Sequence, residues 1–202
     1  ARANEGDFGP AAVIPGPREL HPRPTPKLEL LPRKAAEVIT QGVFFDGPGD
    51  TPAEIQQLAP MAFRRLRDVT GLGLRPFLPD ETGVRFSCAD GEGLYVLIDL
   101  QEEDAGLLDL DITLEEEADV IIGWGEHTHD LRLRTWVGYR NFAVRYKARA
   151  GRNRFFHPFR RIGLRYVQLF VYAHSFTLHY AGIRPTVLPV SQVPRFHVAD
   201  RL

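Results

Sequence analysis

From Val84 to Pro185 the chain repeats with a period of two. The runs VRFSC, GLYVLIDL, GLLDLDITL, DVIIGWGEH, FAVRYKARA, RFFHPF, RYVQLFVYA and FTLHYAGIRP are short, rich in β-branched and aromatic residues, and punctuated by Gly, Asp, Asn and His at intervals of roughly ten residues. Alternate side chains of a strand point to opposite faces, so such text folds as half-buried strands rather than helices. Many short strands at even spacing predict an antiparallel β-sandwich or jelly roll, here spanning 35–185. The 44% apolar content of the 202 residues is enough for one such core.

The text before Val84 is of two other kinds. Seven prolines between Pro10 and Pro32 deny residues 1–34 a helix or a regular ladder, so this stretch is expected to run as an extended arm over a surface. AAEVITQGVFF at 35–45 reads as a first strand. Thr51-Pro52-Ala53-Glu54 then combines a capping-box spacing with Pro at the first helical position, and Ile55, Leu58, Ala62 and Leu66 share one face. One short helical insertion, kinked at Pro60, is therefore expected within 51–68.

Charge is segregated along the strands. Asp99 to Asp130 holds twelve acids and no base, whereas Leu131 to Ala199 holds thirteen bases and no acid. An anionic partner such as nucleic acid is one explanation. However, the net charge of −1 argues for self-neutralisation instead. In LLDLDITLE, Asp109 and Asp111 share a face, expected to be the wet one, opposite Leu108, Leu110 and Ile112. Arg145 and Lys147 share a face of FAVRYKARA and are the expected cross-strand partners of those acids.

Other function classes find little in the text. The single cysteine, Cys88, excludes an intramolecular disulfide and reads as a small strand residue facing the core. No apolar run of about 18 residues suggests a membrane span, no signal-peptide pattern is visible, and the compartment is left open. His127-Thr128-His129-Asp130 has the i, i+2 spacing of a chelating pair, but third and fourth ligands are not assignable, so neither a metal nor a cofactor is expected.

Several segments, in order, resemble the concanavalin-like β-sandwich accessory module of bacterial α-L-rhamnosidases. They are LHPRPTPKLELLPRKAAEVITQGVF at 20–44, YVLIDLQEEDAGLLDLDI at 95–112, GWGEH at 123–127, AGRNRFFHPFRRIGLRYVQLFV at 150–171 with its Gly-x-Arg-Tyr text, and TVLPVSQVPRFHVADRL at 186–202, where Phe196 and Asp200 match. The resemblance implies that 186–202 is a linker toward a C-terminal catalytic (α/α) toroid. It also implies that the carboxylates of hydrolysis belong to the toroid, so no catalytic residue is assigned here. The expected partners are the catalytic and other domains of the parent enzyme and a rhamnose-containing oligosaccharide. A free-standing carbohydrate-binding module is the alternative, and a nucleic-acid binder is a more distant one.

Sugar recognition without catalysis uses exposed aromatic faces beside hydrogen-bonding side chains. Trp124, Glu126, Trp136, Tyr139, Arg140 and Asn141, in and beside the loops around 124–141, are the candidate carbohydrate-binding residues. Glu126 has a structural alternative as the ion-pair partner of Arg140 or Arg165.

Overall fold

A computed structural model describes residues 24–45, 65–71, 76–129, 131–133, 135–137 and 140–189, together with 16, 21 and 22. The chain divides into two compact units, Ala1–Lys27 with Leu188–Leu202, and Leu28–Val187. Among the described residues the second unit holds every strand, and there is no helix. Its strands are β1 (Glu29–Leu30), β2 (Ala36–Phe45), β3 (Arg65–Gly71), β4 (Phe77–Leu78), β5 (Val84–Ser87), β6 (Gly93–Leu114), β7 (Ala118–Gly125), β8 (Thr128–His129), β9 (Arg132–Leu133), β10 (Trp136–Val137), β11 (Arg140–Asn141), β12 (Ala143–Ala148), β13 (Gly151–Val171) and β14 (Ser175–Val187).

Ten of these form one curled antiparallel sheet in the order β1-β14-β6-β13-β7-β12, with β2 added to β6, β3 and β4 to β2, and β5 to β14. Its backbone is β6, 22 residues long, whose two halves take different neighbours. Residues 93–99 lie between β2 and the end of β13, whereas 106–114 lie between β14 and the start of β13. The halves meet at Gln101, which has a φ of 68°. There the polar QEED stretch bulges out of the ladder, the kind of irregularity that bends a strand.

Alternation explains the packing. Leu94, Val96, Ile98, Leu100, Leu108, Leu110, Ile112 and Leu114 of β6 all enter one large core. Tyr95 and Leu97, on the opposite face, enter a smaller one with Phe44, Ile121, Leu133 and Phe170. Each fully buried side chain of this size contributes about 1.5–3 kcal/mol. On β13 the register shifts between Leu164 and Tyr166. One extra residue exchanges the faces of a strand. Accordingly Ile162 and Leu164 serve the large core before the shift, and Val167, Leu169 and Val171 serve it afterwards. Close passage of β6 and β14 needs Gly106, since a Cβ there would sit 2.2 Å from the Arg184 carbonyl oxygen.

Three expectations change. Residues 65–68 are not helical: β3 pairs with β2 from Phe45↔Arg65 to Thr40↔Gly71. The remainder of the expected insertion, 46–64, lies outside the described residues. The proline-rich stretch does join the ladder at its end. Glu29 and Leu30 pair with Val187 and Thr186, and the amides of Leu31 and Lys34 donate to Pro185 and Ile183 at 2.8 and 3.1 Å. Lastly, Asp109 and Asp111 do not face Arg145 and Lys147, because β6 is flanked by β13 and β14 whereas β12 pairs only with β7. Arg145 instead donates to Asp119 across the β7–β12 pair.

The connection from β12 to β13 is latched by Asn153, 7% exposed. Its Oδ1 accepts from the Arg149 amide at 2.9 Å, and its Nδ2 donates to the Arg149 and Gly151 carbonyls at 2.7 and 2.9 Å. Asn153→Ala strands these backbone groups and is expected to cost about 2 kcal/mol, read from the urea midpoint. A loss within about 0.5 kcal/mol, typical of surface changes, would show that the latch is redundant.

Candidate functional site

The predicted sugar site lies on the excursion between β7 and β12. Trp124 is 1% exposed, because it shares the face of β7 that carries Val120 and Ile122 into the large core. Its ring is covered by Arg160, whose guanidinium carbon stands 5.0 Å from the centroid, and it meets Phe142 edge-on at 6.5 Å. A ring so enclosed packs and offers no open face. Glu126 is exposed just past the end of β7, and Arg140 is exposed on β11. Tyr139 and the side chains of Trp136 and Asn141 lie outside the described residues.

The base of this excursion is fixed to the sheet. The Trp124 amide donates to Phe142 at 2.9 Å and the Phe142 amide to Thr135 at 2.8 Å. Leu133 is buried in the smaller core, and its amide donates to Oε1 of fully buried Gln168 at 2.9 Å. The Tyr95 hydroxyl donates to the Leu131 carbonyl. Burial pushes the Tyr95 pKa far above its usual value, so the group stays a donor at ordinary pH. Glu126 does not recruit Arg165, which forms a fork on Asp99 at 2.9 and 3.1 Å.

The strongest concentration of charge lies where the wet face of β6 was expected. Side-chain exposure of Asp109 is 8% and of Asp111 is 1%, so this face is closed over by arginines. Arg33, from the proline-rich stretch, binds both oxygens of Asp109 at 2.9 and 2.8 Å and reaches Asp111 at 3.2 Å. Arg152 forks onto Asp111 at 2.8 and 3.0 Å, and Arg154 approaches it at 3.4 Å. Beneath them, the guanidinium carbon of Arg33 lies 4.8 Å from the Tyr180 ring centroid. Burial alone would raise the pKa of Asp111, but the hydrogen bonds and charges of Arg152 and Arg33 outweigh it and hold the group below the usual range. Next along the arm, Lys34 bonds Glu102 at 2.5 Å and Asp104 at 2.9 Å. These bonds hold the arm down, and both oxygens of Asp109 and of Asp111 accept from arginines.

Two features had no counterpart in the sequence reading. Phe159, assigned to a strand by its alternating text, stands 93% exposed on a bulge of β13 between Phe156 and Arg161. A cleft of about 330 Å³ is lined by Gln41, Gly42 and Val43 of β2, Thr70 of β3, the turn from Ser87 to Asp90, and Leu94. Its residues are scattered through the chain, so no local motif announced it. Cys88 lies in this cleft, half-buried just past β5 and touching the large core from the side. Among the described residues no three His, Cys, Asp or Glu side chains are grouped to hold a metal ion.

No family model matches the chain, and no curated protein matches it. Among solved structures, the GH78 family rhamnosidase of Bacillus sp. GL1 superposes with a TM-score of 0.50 at 24% identity, over 61% of this chain and 13% of that one. A rhamnosidase from Klebsiella oxytoca with rhamnose bound gives a TM-score of 0.48 at 14% identity, over 87% of this chain and 33% of that one. The chain thus spans only a small part of either protein's length, and the first likeness is one of fold.

Proposed function

We propose that this chain is a non-catalytic, concanavalin-like β-sandwich module of an α-L-rhamnosidase-like glycoside hydrolase, which braces the catalytic domain and contributes to carbohydrate binding. The observation that carries the reading is the shared fold with a stretch of the Bacillus rhamnosidase, over 61% of this chain. The state of the carboxylates supports its non-catalytic side. Glycoside hydrolysis requires one carboxyl group that holds a proton beside a second, ionised one. Asp109 and Asp111, which share a face of β6, are instead covered by arginines, with Asp111 held ionised. Phe159, an open aromatic followed by Arg160 and Arg161, has the composition of a docking hot spot and supports the bracing role. Arg145, Arg152 and Arg165 are engaged by Asp119, Asp111 and Asp99, which disfavours a nucleic-acid footprint.

Assay of the purified chain on an aryl α-L-rhamnoside tests the reading directly. The expected release of phenol does not exceed that of buffer. Turnover that survives repurification would overturn the non-catalytic assignment. For bracing, deletion of 28–187 from the polypeptide that carries the module should lower the melting temperature of its rhamnosidase activity, and an unchanged value would dispose of that role.

A further inference from the structure

We infer that the bulge of β13 at 157–160, with the outer face of the sheet beside it, docks on a protein surface that offers an apolar pocket rimmed by carboxylates. The catalytic domain as the source of that surface rests on the function proposed above, whereas the chemistry of the partner follows from the face itself.

The apolar centre is Phe159. Between Phe156↔Asp109 and Arg161↔Leu107, four residues of β13 stand against Leu108 alone, so the chain leaves the ladder and carries Phe159 to 93% exposure. Both ends of the bulge are tied down. The His157 ring meets Phe155 at 6.0 Å, and Phe155 stacks on Tyr146 at 4.8 Å. At the other end the Arg160 guanidinium carbon lies 5.0 Å from the Trp124 centroid and 6.0 Å from that of Phe142. Pro158 fixes one further backbone angle. A large apolar ring held out to water on a tied support enters a pocket at little ordering cost, as aromatic anchors do at protein interfaces.

The rim is basic. Cross-strand partners share a face, so the registers place Arg154, Phe156, Arg161 and Arg184 on the side of β6 that carries Asp109 and Asp111. Arg33 and Arg152 close over the same aspartates, which sets five arginines against two carboxylates, a net of +3. At the margin Lys34 bonds Glu102 and Asp104, the latter within electrostatic reach of Arg161; this removes one charge and leaves the face basic. Arg161 and Arg184 are oriented by neutral groups. Arg161 Nε donates to the Thr186 hydroxyl at 2.7 Å, and Arg184 Nε donates to the Leu31 carbonyl at 3.2 Å, its guanidinium carbon 5.8 Å from the Phe156 centroid. Carboxylates of a partner would therefore meet guanidinium groups already held in place. Two copies of this face would oppose like charges, which disfavours self-association through it.

Pro158→Cys places a thiol beside Phe159 and is introduced both into this chain and into the polypeptide that carries the module. Each is treated with iodoacetamide, and alkylation is followed by mass in the tryptic peptide 155–160. Alkylation is expected to be slower in the polypeptide by about tenfold or more, because a covered thiol reacts only while it is open. Phe159→Ala, or Arg161→Glu with Arg184→Glu, should restore the rate of the isolated chain, and an ionic strength of about 0.5 M should restore part of it. Since the ring is exposed in this chain, Phe159→Ala should leave its urea midpoint unchanged. If the cysteine variant is unfolded, exchange of amides 157–161 in the unsubstituted pair gives the same reading. Equal rates in the two proteins overturn the docking face, even where the polypeptide hydrolyses an aryl rhamnoside. Protection in a polypeptide without rhamnosidase activity supports the face and overturns the rhamnosidase kinship. Protection of the isolated chain that grows with its own concentration assigns the face to a second copy, and protection by polygalacturonate assigns it to an anionic glycan; either result overturns the proposed partner.

Discussion

Phe170→Ala is expected to remove about 3–5 kcal/mol of stability, a large fraction of the roughly 5–15 kcal/mol that a folded domain holds in reserve. The ring is 1% exposed and meets Phe44 edge-on at 5.1 Å and Tyr95 at 5.4 Å. Together with Leu97, Ile121 and Leu133 these residues form the smaller core, on the face of the sheet opposite the large one. Few groups there can collapse into the space that alanine would leave, since its neighbours are held on β2, β6, β7 and β9. The lost volume therefore persists as a cavity rather than being absorbed. The damage should also spread in a defined direction. Leu133 and the Tyr95 hydroxyl fasten the excursion between β7 and β12, so hydrogen exchange at the Leu133 amide should accelerate beyond the global loss. Phe170→Leu retains most of the volume and should cost less than about 1.5 kcal/mol. Urea unfolding of the two variants checks both figures, and an alanine variant within about 1 kcal/mol of the parent would show that the smaller core contributes little.

The strands were legible because alternation depends only on neighbours in sequence. GLYVLIDL and GLLDLDITL both form strand, yet their union into one bent β6 was hidden by the polar QEED between them. In such text a loop and a bulge look alike. Trp124, read as lying in or beside the loops around 124–141, shares the parity of Val120 and Ile122 and packs with them in the large core. The wet face assigned to Asp109 and Asp111 failed for a deeper reason. Alternating charge predicts solvent only if nothing of opposite sign covers it, and Arg33 lies 76 residues away from Asp109. Arg152 and Arg154 reach Asp111 only because β13 pairs with β6 in the register Arg152↔Thr113 and Arg154↔Asp111. The segregation of charge was visible in the sequence, whereas which strands it joined was a matter of sheet order. The cleft was less legible still, since its walls come from four separate strands and one turn.

Asp111→Asn should be the second most costly of these changes, and its cost should depend on pH. Asparagine preserves the shape and one acceptor oxygen but removes the charge that Arg152 and Arg33 share. The cluster of three arginines and two aspartates then changes from a net +1 to +2. Breaking a fully buried pair costs about 3–5 kcal/mol. Here the arginine side chains reach water, at 26%, 42% and 69% exposure, so about 2–3 kcal/mol is the appropriate expectation. Because the folded pKa of Asp111 lies below its unfolded value, its contribution is fully present above that unfolded value, about 3.9, and is lost as pH falls through the folded one. Asp104, which is held low by the Lys34 bond against its own desolvation, acts in the same direction. The urea midpoint of the parent should therefore be level near neutral pH and fall below about pH 4, and Asp111→Asn should fall less steeply because one proton-uptake site is gone. Accordingly the gap between the two proteins narrows with acid. A gap that stays constant from neutral pH to pH 3 would mean that Asp111 stabilises through shape and packing, and that Arg33 holds the arm through Asp109 alone.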